Sequence, residues 1–211
     1  MADDRSRAPQ ARTRLARRAV LDAARTLFLE RGYGATTIEG ISSASEIPQA
    51  TVYRLFSSKK GILKALLDTS IAGDDKPVPV AERSHVRTLL DASRPQDSLS
   101  RLAALSVDIN SRTAPIYRIL VGAASSDTDA AAILDELTRQ RQEGQGRVAT
   151  ALARAKALRP GMRARDAGDV IHALASPELY QLFVIDRAWS PERYERWLAE
   201  TLAGQLLFRW E

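Results

Sequence analysis

The sequence predicts an all-α fold of about nine or ten helices, and three observations carry that prediction. Apolar residues recur at helical spacing through nearly the whole chain, no stretch alternates apolar and polar residues as a half-buried strand would, and Pro and Gly fall between the periodic segments. The chain has 211 residues and no cysteine. It is long enough to bury a core unaided, since a chain of about 150 residues already buries roughly 70% of its unfolded surface. The missing cysteines exclude a disulfide scaffold, a thiolate metal site and a cysteine nucleophile.

Val20, Ala23, Ala24, Leu27 and Phe28 line one face of a first helix, which Gly32 ends. Thr36 and Thr37 offer a hydroxyl cap to a short second helix carrying Ile38, Ile41 and Ala44. Pro48 suits the first turn of a third helix, with Val52, Tyr53 and Phe56. Ser57 and Ser58 cap a fourth, with Ile62, Leu63, Leu66 and Leu67 turned inward. The run Gly73 to Pro79 is the clearest breaker and marks a junction. Further helices are expected at about 80–92, 97–111, 114–124, 128–158, 165–188 and 191–209. Gly144 and Gly146 suggest a bend in 128–158, and Pro177 a kink in 165–188.

Charge divides the chain. Residues 1–72 hold twelve basic and seven acidic side chains, and residues 73–211 hold nineteen of each, so the whole net charge of +5 lies in the first third. Arg5, Arg7, Arg12, Arg14, Arg17 and Arg18 occur with no acid between them. A localised basic segment is the electrostatic footprint of nucleic acid or an anionic membrane. The expected domains are a disordered basic arm at 1–11, a helix-turn-helix domain at 12–72 and a larger helical bundle at 73–211. No uncharged run exceeds eight residues, against the ~20 a membrane-spanning helix needs. The N-terminus lacks the apolar stretch of a signal peptide, so a cytoplasmic location is expected.

Two short helices joined by a tight turn and held by a longer first helix describe a helix-turn-helix. Ile38, Ile41, Ile47 and Val52 face the packing between them. The other face of the third helix must fit the ~12 Å major groove. It carries Gln49, Ala50, Thr51, Tyr53 and Arg54, which are small or hydrogen-bonding residues with one long charge. Gln suits adenine, Arg suits guanine, and an Ala or Thr methyl suits thymine. Arg12, Arg14 and Arg17 are candidates for phosphate or minor-groove contact, as basic arms make. Phe56 reads as core.

The run Gly32-Tyr33-Gly34-Ala35-Thr36-Thr37-Ile38, followed by Ile41, Ala44, Ile47, Thr51-Val52-Tyr53, Phe56 and Ser58-Lys59, resembles the DNA-binding domain of the tetracycline-repressor family. The resemblance covers roughly residues 14–68 and thins to a layout beyond residue 75. It implies an all-helical homodimer that binds double-stranded operator DNA through its N-terminal domain, holds a small-molecule effector in its C-terminal domain, and represses transcription until the effector releases it. It also implies that Thr37, Tyr53 and Lys59 contact the DNA backbone, and that Gln49, Ala50, Thr51 and Arg54 face the bases. Two positions depart from the family: Glu46 stands at the turn and Ala50 beside the groove, where glycine is frequent. An L-residue in a left-handed turn costs about 1–2 kcal/mol, so a differently shaped turn is expected.

The C-terminal two thirds are less specific. The last helix holds Tyr194, Trp197, Leu198, Leu202, Leu206, Leu207, Phe208 and Trp210, an apolar surface wider than one core-facing stripe. With Leu179, Leu182 and Phe183 of the preceding helix, the residues Trp197, Leu198, Leu202 and Leu206 are the expected two-fold dimer interface. One thick monomer core is the other reading. Asn110, Tyr117 and His172 are the polar candidates for an effector pocket with apolar neighbours, which points to an aromatic or lipophilic ligand. Each is also a natural satisfied core residue.

No catalytic residue, cofactor or metal is predicted. His85 and His172 are far apart, and no H-E-x-x-H, G-x-S-x-G or phosphate-loop pattern occurs. A helical-bundle enzyme or ligand-binding protein with an incidental basic segment stays open as the alternative. A basic amphipathic membrane binder is disfavoured, because the Arg12–Arg18 segment lacks large exposed aromatics.

Overall fold

The computed structural model describes residues 4–73 and 94–208. Among them the helices are α1 (Asp4–Ala35), α2 (Ile38–Ser45), α3 (Gln49–Phe56), α4 (Lys59–Ala72), α5 (Pro95–Ala124), α6 (Thr128–Arg154), α7 (Ala164–Leu174), α8 (Pro177–Tyr180) and α9 (Pro191–Leu206). A π-helical turn, Gln181–Asp186, follows α8. The described residues contain no strand beyond an isolated bridge between Leu158 and Leu207. The helix expected at 80–92 lies outside the described residues.

The chain forms two compact units, Met1–Thr69 with Pro115–Leu134, and Ser70–Ala114 with Asp135–Glu211. The division is therefore not the single cut at residue 73 that the breaker segment suggests.

In the first unit, Val20, Ala24 and Phe28 of α1 are fully buried. The helix breaks at Gly32, whose φ of 78° and ψ of 166° lie where only glycine is at ease. The chain then folds back so that Tyr33 packs against Phe28, ring centroids 5.5 Å apart. The two threonines divide their work. The Thr36 hydroxyl is buried and donates to the Gly32 carbonyl at 2.8 Å, while Thr37 caps α2 by accepting the Gly40 amide at 3.0 Å. Ile41 and Val52 close the α2–α3 contact with no exposed surface. Pro48 is the N-cap of α3, one residue ahead of the first turn. Ser58 accepts the Gly61 amide at 3.0 Å, and Ile62, Leu63, Leu66 and Leu67 of α4 are buried as expected.

In the second unit the core joins Leu99, Leu102 and Val107 of α5, Val148 and Leu152 of α6, Ile171 of α7, and Tyr194, Leu198, Leu202 and Leu206 of α9. Four differences from the expected helices have physical causes. The segments 97–111 and 114–124 are one helix through Pro115. Proline costs about 3 kcal/mol inside a helix, but Val107, Asn110 and Ala114 before it and Ile116, Tyr117 and Leu120 after it are all buried, so packing outweighs that cost. Helix α6 stops at Arg154 because Lys156 takes a left-handed φ of 53°. It runs unbroken through Gly144 and Gly146, so these glycines do not interrupt it. A Cβ on Gly168 would sit 3.9 Å from the Gly146 Cα and the Ala149 Cβ, an ordinary contact between α7 and α6. Pro177 does not kink a continuous helix: α7 ends at Leu174, Ser176 accepts the Leu179 amide at 3.2 Å, and α8 starts on the proline.

Candidate nucleic-acid interface

Helix α3 has two unlike faces. Val52 and Phe56 are buried, whereas Gln49, Ala50, Tyr53 and Arg54 are exposed and Thr51 is half-buried. Tyr53 keeps half of its surface in solvent, although a free tyrosine would bury its ring given a core to enter. Of the expected base-facing and backbone-facing residues of α3, Gln49, Ala50, Tyr53 and Arg54 are thus accessible and Thr51 is so only in part. Thr37 is exposed at the start of α2, with its hydroxyl already accepting the Gly40 amide. Arg12, Arg14 and Arg17 are exposed on α1.

The turn between α2 and α3 corrects one expectation. Glu46 itself adopts the left-handed conformation, φ 57° and ψ 22°, as the C-cap of α2. The turn keeps the geometry a glycine would give, and the chain bears the strain instead of reshaping the loop. Ser57 closes α3 in a similar way, at φ 63°, with its amide donating to the Tyr53 carbonyl at 2.8 Å.

Lys59 is placed differently from a free phosphate ligand. Its Nζ donates to the Tyr33 carbonyl at 2.8 Å and the Thr36 carbonyl at 3.0 Å, with the Gly34 carbonyl at 3.5 Å. It also lies 4.3 Å from the centroid of the Tyr33 ring. Burial pushes the Lys59 ammonium below the ordinary lysine range, against the opposing charge of Asp127. Burial, together with Asp127 and Asp129, pushes the Tyr33 phenol up. Lys59 therefore ties α4 to the segment between α1 and α2. Its neighbour Lys60 pairs with Asp129 of α6 at 2.8 Å, within the same unit. No sequence signal marks these ties, because the partners lie more than twenty residues away.

The expected pocket residues are each described within their own unit. Asn110 is buried in the second unit, with its amide 3.5 Å from the Ala175 carbonyl. His172 meets Gln145 at 2.8 Å through Nδ1. Tyr117 is buried in the first unit. Leu198, Leu202 and Leu206 have no exposed surface within a single chain, so they belong to its own core and not to a dimer surface. In the second unit the large apolar residues left outward are Leu182 and Ile185 of the π-helical turn, 45% and 52% exposed, and Phe208 after α9, 39% exposed, with Leu179, Phe183 and Trp197 half-buried. Among the described residues no group of His, Asp and Glu is placed to hold a metal, and no helix is long and apolar enough to cross a membrane.

Comparison with known proteins bears on the same segment. Residues 20–66 match the family described as bacterial regulatory proteins, tetR family. The HTH-type transcriptional regulator YdeS of Bacillus subtilis is 31% identical over 111 residues, 52% of this chain and 50% of that protein. The HTH-type transcriptional repressor Rv3405c of Mycobacterium tuberculosis is 35% identical over 100 residues, 43% of this chain and 53% of that protein. The chain thus spans about half the length of the relatives it matches. Over 94% of this chain and 100% of the other, the fold is similar to that of NalD, the secondary repressor of the MexAB-OprM multidrug efflux pump in Pseudomonas aeruginosa, with a TM-score of 0.70 and 22% identity. A Saccharomonospora viridis protein solved in complex with choline shares the fold over 92% of this chain and 98% of its own, with a TM-score of 0.68 and 19% identity. The likeness to the tetR family of bacterial regulatory proteins thus lies in residues 20–66, the helix-turn-helix segment.

Proposed function

We propose that this chain is a transcriptional repressor that binds a palindromic operator as a homodimer and leaves it when a small molecule binds. The observation that carries the reading is α3: a buried Val52–Phe56 face and an exposed face of Gln49, Ala50, Tyr53 and Arg54, in a helix-turn-helix of the matched family. Thr37 and Tyr53 contact phosphates, the basic N-terminal part of α1 adds to backbone binding, and the remaining exposed residues of α3 read base edges. A dimer sets two such helices about 34 Å apart, in successive major grooves. Leu182 and Ile185, with Leu179, Phe183 and Trp197, are the surface we assign to the second subunit.

The second unit houses the effector. Its middle helices are largely apolar, which favours an aromatic or lipophilic molecule, and the choline complex of a fold neighbour is a precedent for a small ligand in this architecture. The effector acts by binding one conformer better and so shifting the population off DNA. The chain carries out no chemistry and works on DNA in the cytoplasm. Selection from a random duplex pool with the purified protein tests the reading. Recovery of a palindrome bound less tightly by Tyr53→Ala is the expected result; no enrichment sinks it. Light scattering at micromolar concentration should show a dimer that Leu182→Lys with Ile185→Lys converts to monomer.

A further inference from the structure

Arg17 differs from the other arginines of α1. Its Cζ lies 4.6 Å from the centroid of the Phe56 ring. Phe56 is the last residue of α3 and only 7% exposed, so the ring is fixed in the core and presents a face to the guanidinium. Arg17 remains exposed, and among the described residues its guanidinium meets no carboxylate or carbonyl. Arg18, by contrast, faces Asp22 at 3.9 Å. An aromatic ring attracts a cation without taking up its N–H donors as a carboxylate would. The donors of Arg17 are thus kept available while its position is tied to the end of α3.

We propose that Arg17 is a DNA-backbone contact and that Phe56 is its positioning residue, so that phosphate binding by α1 is mechanically tied to the seating of α3. The inference rests on reading α3 as the helix that enters the groove. A long, flexible side chain loses less freedom on binding phosphate when a fixed ring already confines it. The arrangement also gives a sense to the aromatic at position 56: a leucine would fill the core but offer no ring. Arg12 and Arg14 have no such platform among the described residues, so their contribution to binding is less position-specific.

The test is a fluorescence anisotropy titration of the full-length protein with the palindrome recovered by selection, repeated over a salt series. Arg17→Ala is expected to weaken binding on the order of tenfold. It should also make the slope of log K against log salt shallower by about 0.9 for each bound protomer. Phe56→Leu should move both quantities the same way by a smaller factor, and should add nothing further in the Arg17→Ala background. An unchanged salt slope in Arg17→Ala overturns the proposal. So does a Phe56→Leu loss that is equal with and without Arg17, because the ring is then only structural. Circular dichroism checks that each variant is folded. If Phe56→Leu is not, Phe56→Tyr, which keeps the ring face, must retain the wild-type slope, and a reduced slope counts against the proposal. Loss of binding in Tyr53→Ala beside a wild-type slope in Arg17→Ala defeats this inference alone. No effect in either defeats the reading of α3.

Discussion

Replacing Lys59 by methionine separates a structural role from a phosphate contact. The ammonium serves the Tyr33 and Thr36 carbonyls at 2.8 and 3.0 Å, near that of Gly34, and sits 4.3 Å from the Tyr33 ring centroid. These carbonyls follow the break at Gly32, where the helix no longer supplies amides to them. Hydrogen bonds from a charged donor contribute about 1.5–3 kcal/mol and a cation over a ring about 0.5–1 kcal/mol. Burial of the ammonium opposes both, as the lowered pKa of Lys59 indicates. The net loss in Lys59→Met should be about 1–2 kcal/mol, because methionine keeps much of the stem and loses only the charge. Urea unfolding can locate the effect. All three tryptophans, Trp189, Trp197 and Trp210, belong to the second unit, so their fluorescence reports that unit while far-ultraviolet circular dichroism reports both. The dichroism midpoint should fall and the tryptophan midpoint should hold. The salt slope of DNA binding should also hold. A stability loss below about 0.5 kcal/mol, together with a slope reduced by about 0.9 per protomer, would falsify the structural assignment and make Lys59 a phosphate ligand.

Three further outcomes are expected. A Cβ on Gly61 would overlap the Phe56 carbonyl oxygen, a backbone atom that cannot swing aside, so Gly61→Ala should cost about 3 kcal/mol. Gly34→Ala, with nothing within 4 Å of the new atom, is the control, and equal melting temperatures for the two would refute the steric argument. Glu46→Gly relieves a left-handed L-residue at φ 57° and should stabilise the protein by about 0.5–1 kcal/mol after the added freedom of the unfolded chain is subtracted; a lower denaturation midpoint speaks against it. His172 has its pKa held below the ordinary histidine value by burial, then by the charge of Arg141, with Glu178 and Asp169 opposing. The unfolded chain therefore takes up the proton first, and this contribution to stability is complete above the unfolded pKa of about 6.5 and declines as pH falls below it. His172→Gln should flatten the decline between pH 7.5 and 5.5, and an unchanged profile would remove His172 as its source.

What was legible in the sequence follows from how far apart the deciding atoms lie. Gly32, Thr37 and Ser58 act on residues within one turn, and their breaks and caps stand where the residue chemistry puts them. The accessible face of α3 was legible for the same reason, since alternation of buried Val52 and Phe56 with Gln49, Ala50 and Tyr53 is set by helical geometry alone. Pro115 was misread because its cost is local and its compensation is not: the buried residues on either side of it hold the helix straight through. Lys59 was assigned by position in a motif, while its carbonyl partners depend on how the chain folds back after Gly32.

The last helix shows the same limit in another form. Its apolar residues exceed one stripe, and that excess carries the expectation of a second buried surface. Which residues belong to which surface is a matter of rotation about the helix axis. Tyr194, Leu198, Leu202 and Leu206 follow one another at intervals of four and are consumed by the chain's own core. Among the described residues of the second unit, Leu182 and Ile185 before the helix and Phe208 after it remain outward. The dimer surface we propose therefore lies off the buried stripe of the long helix, which Tyr194, Leu198, Leu202 and Leu206 give to the chain's own core.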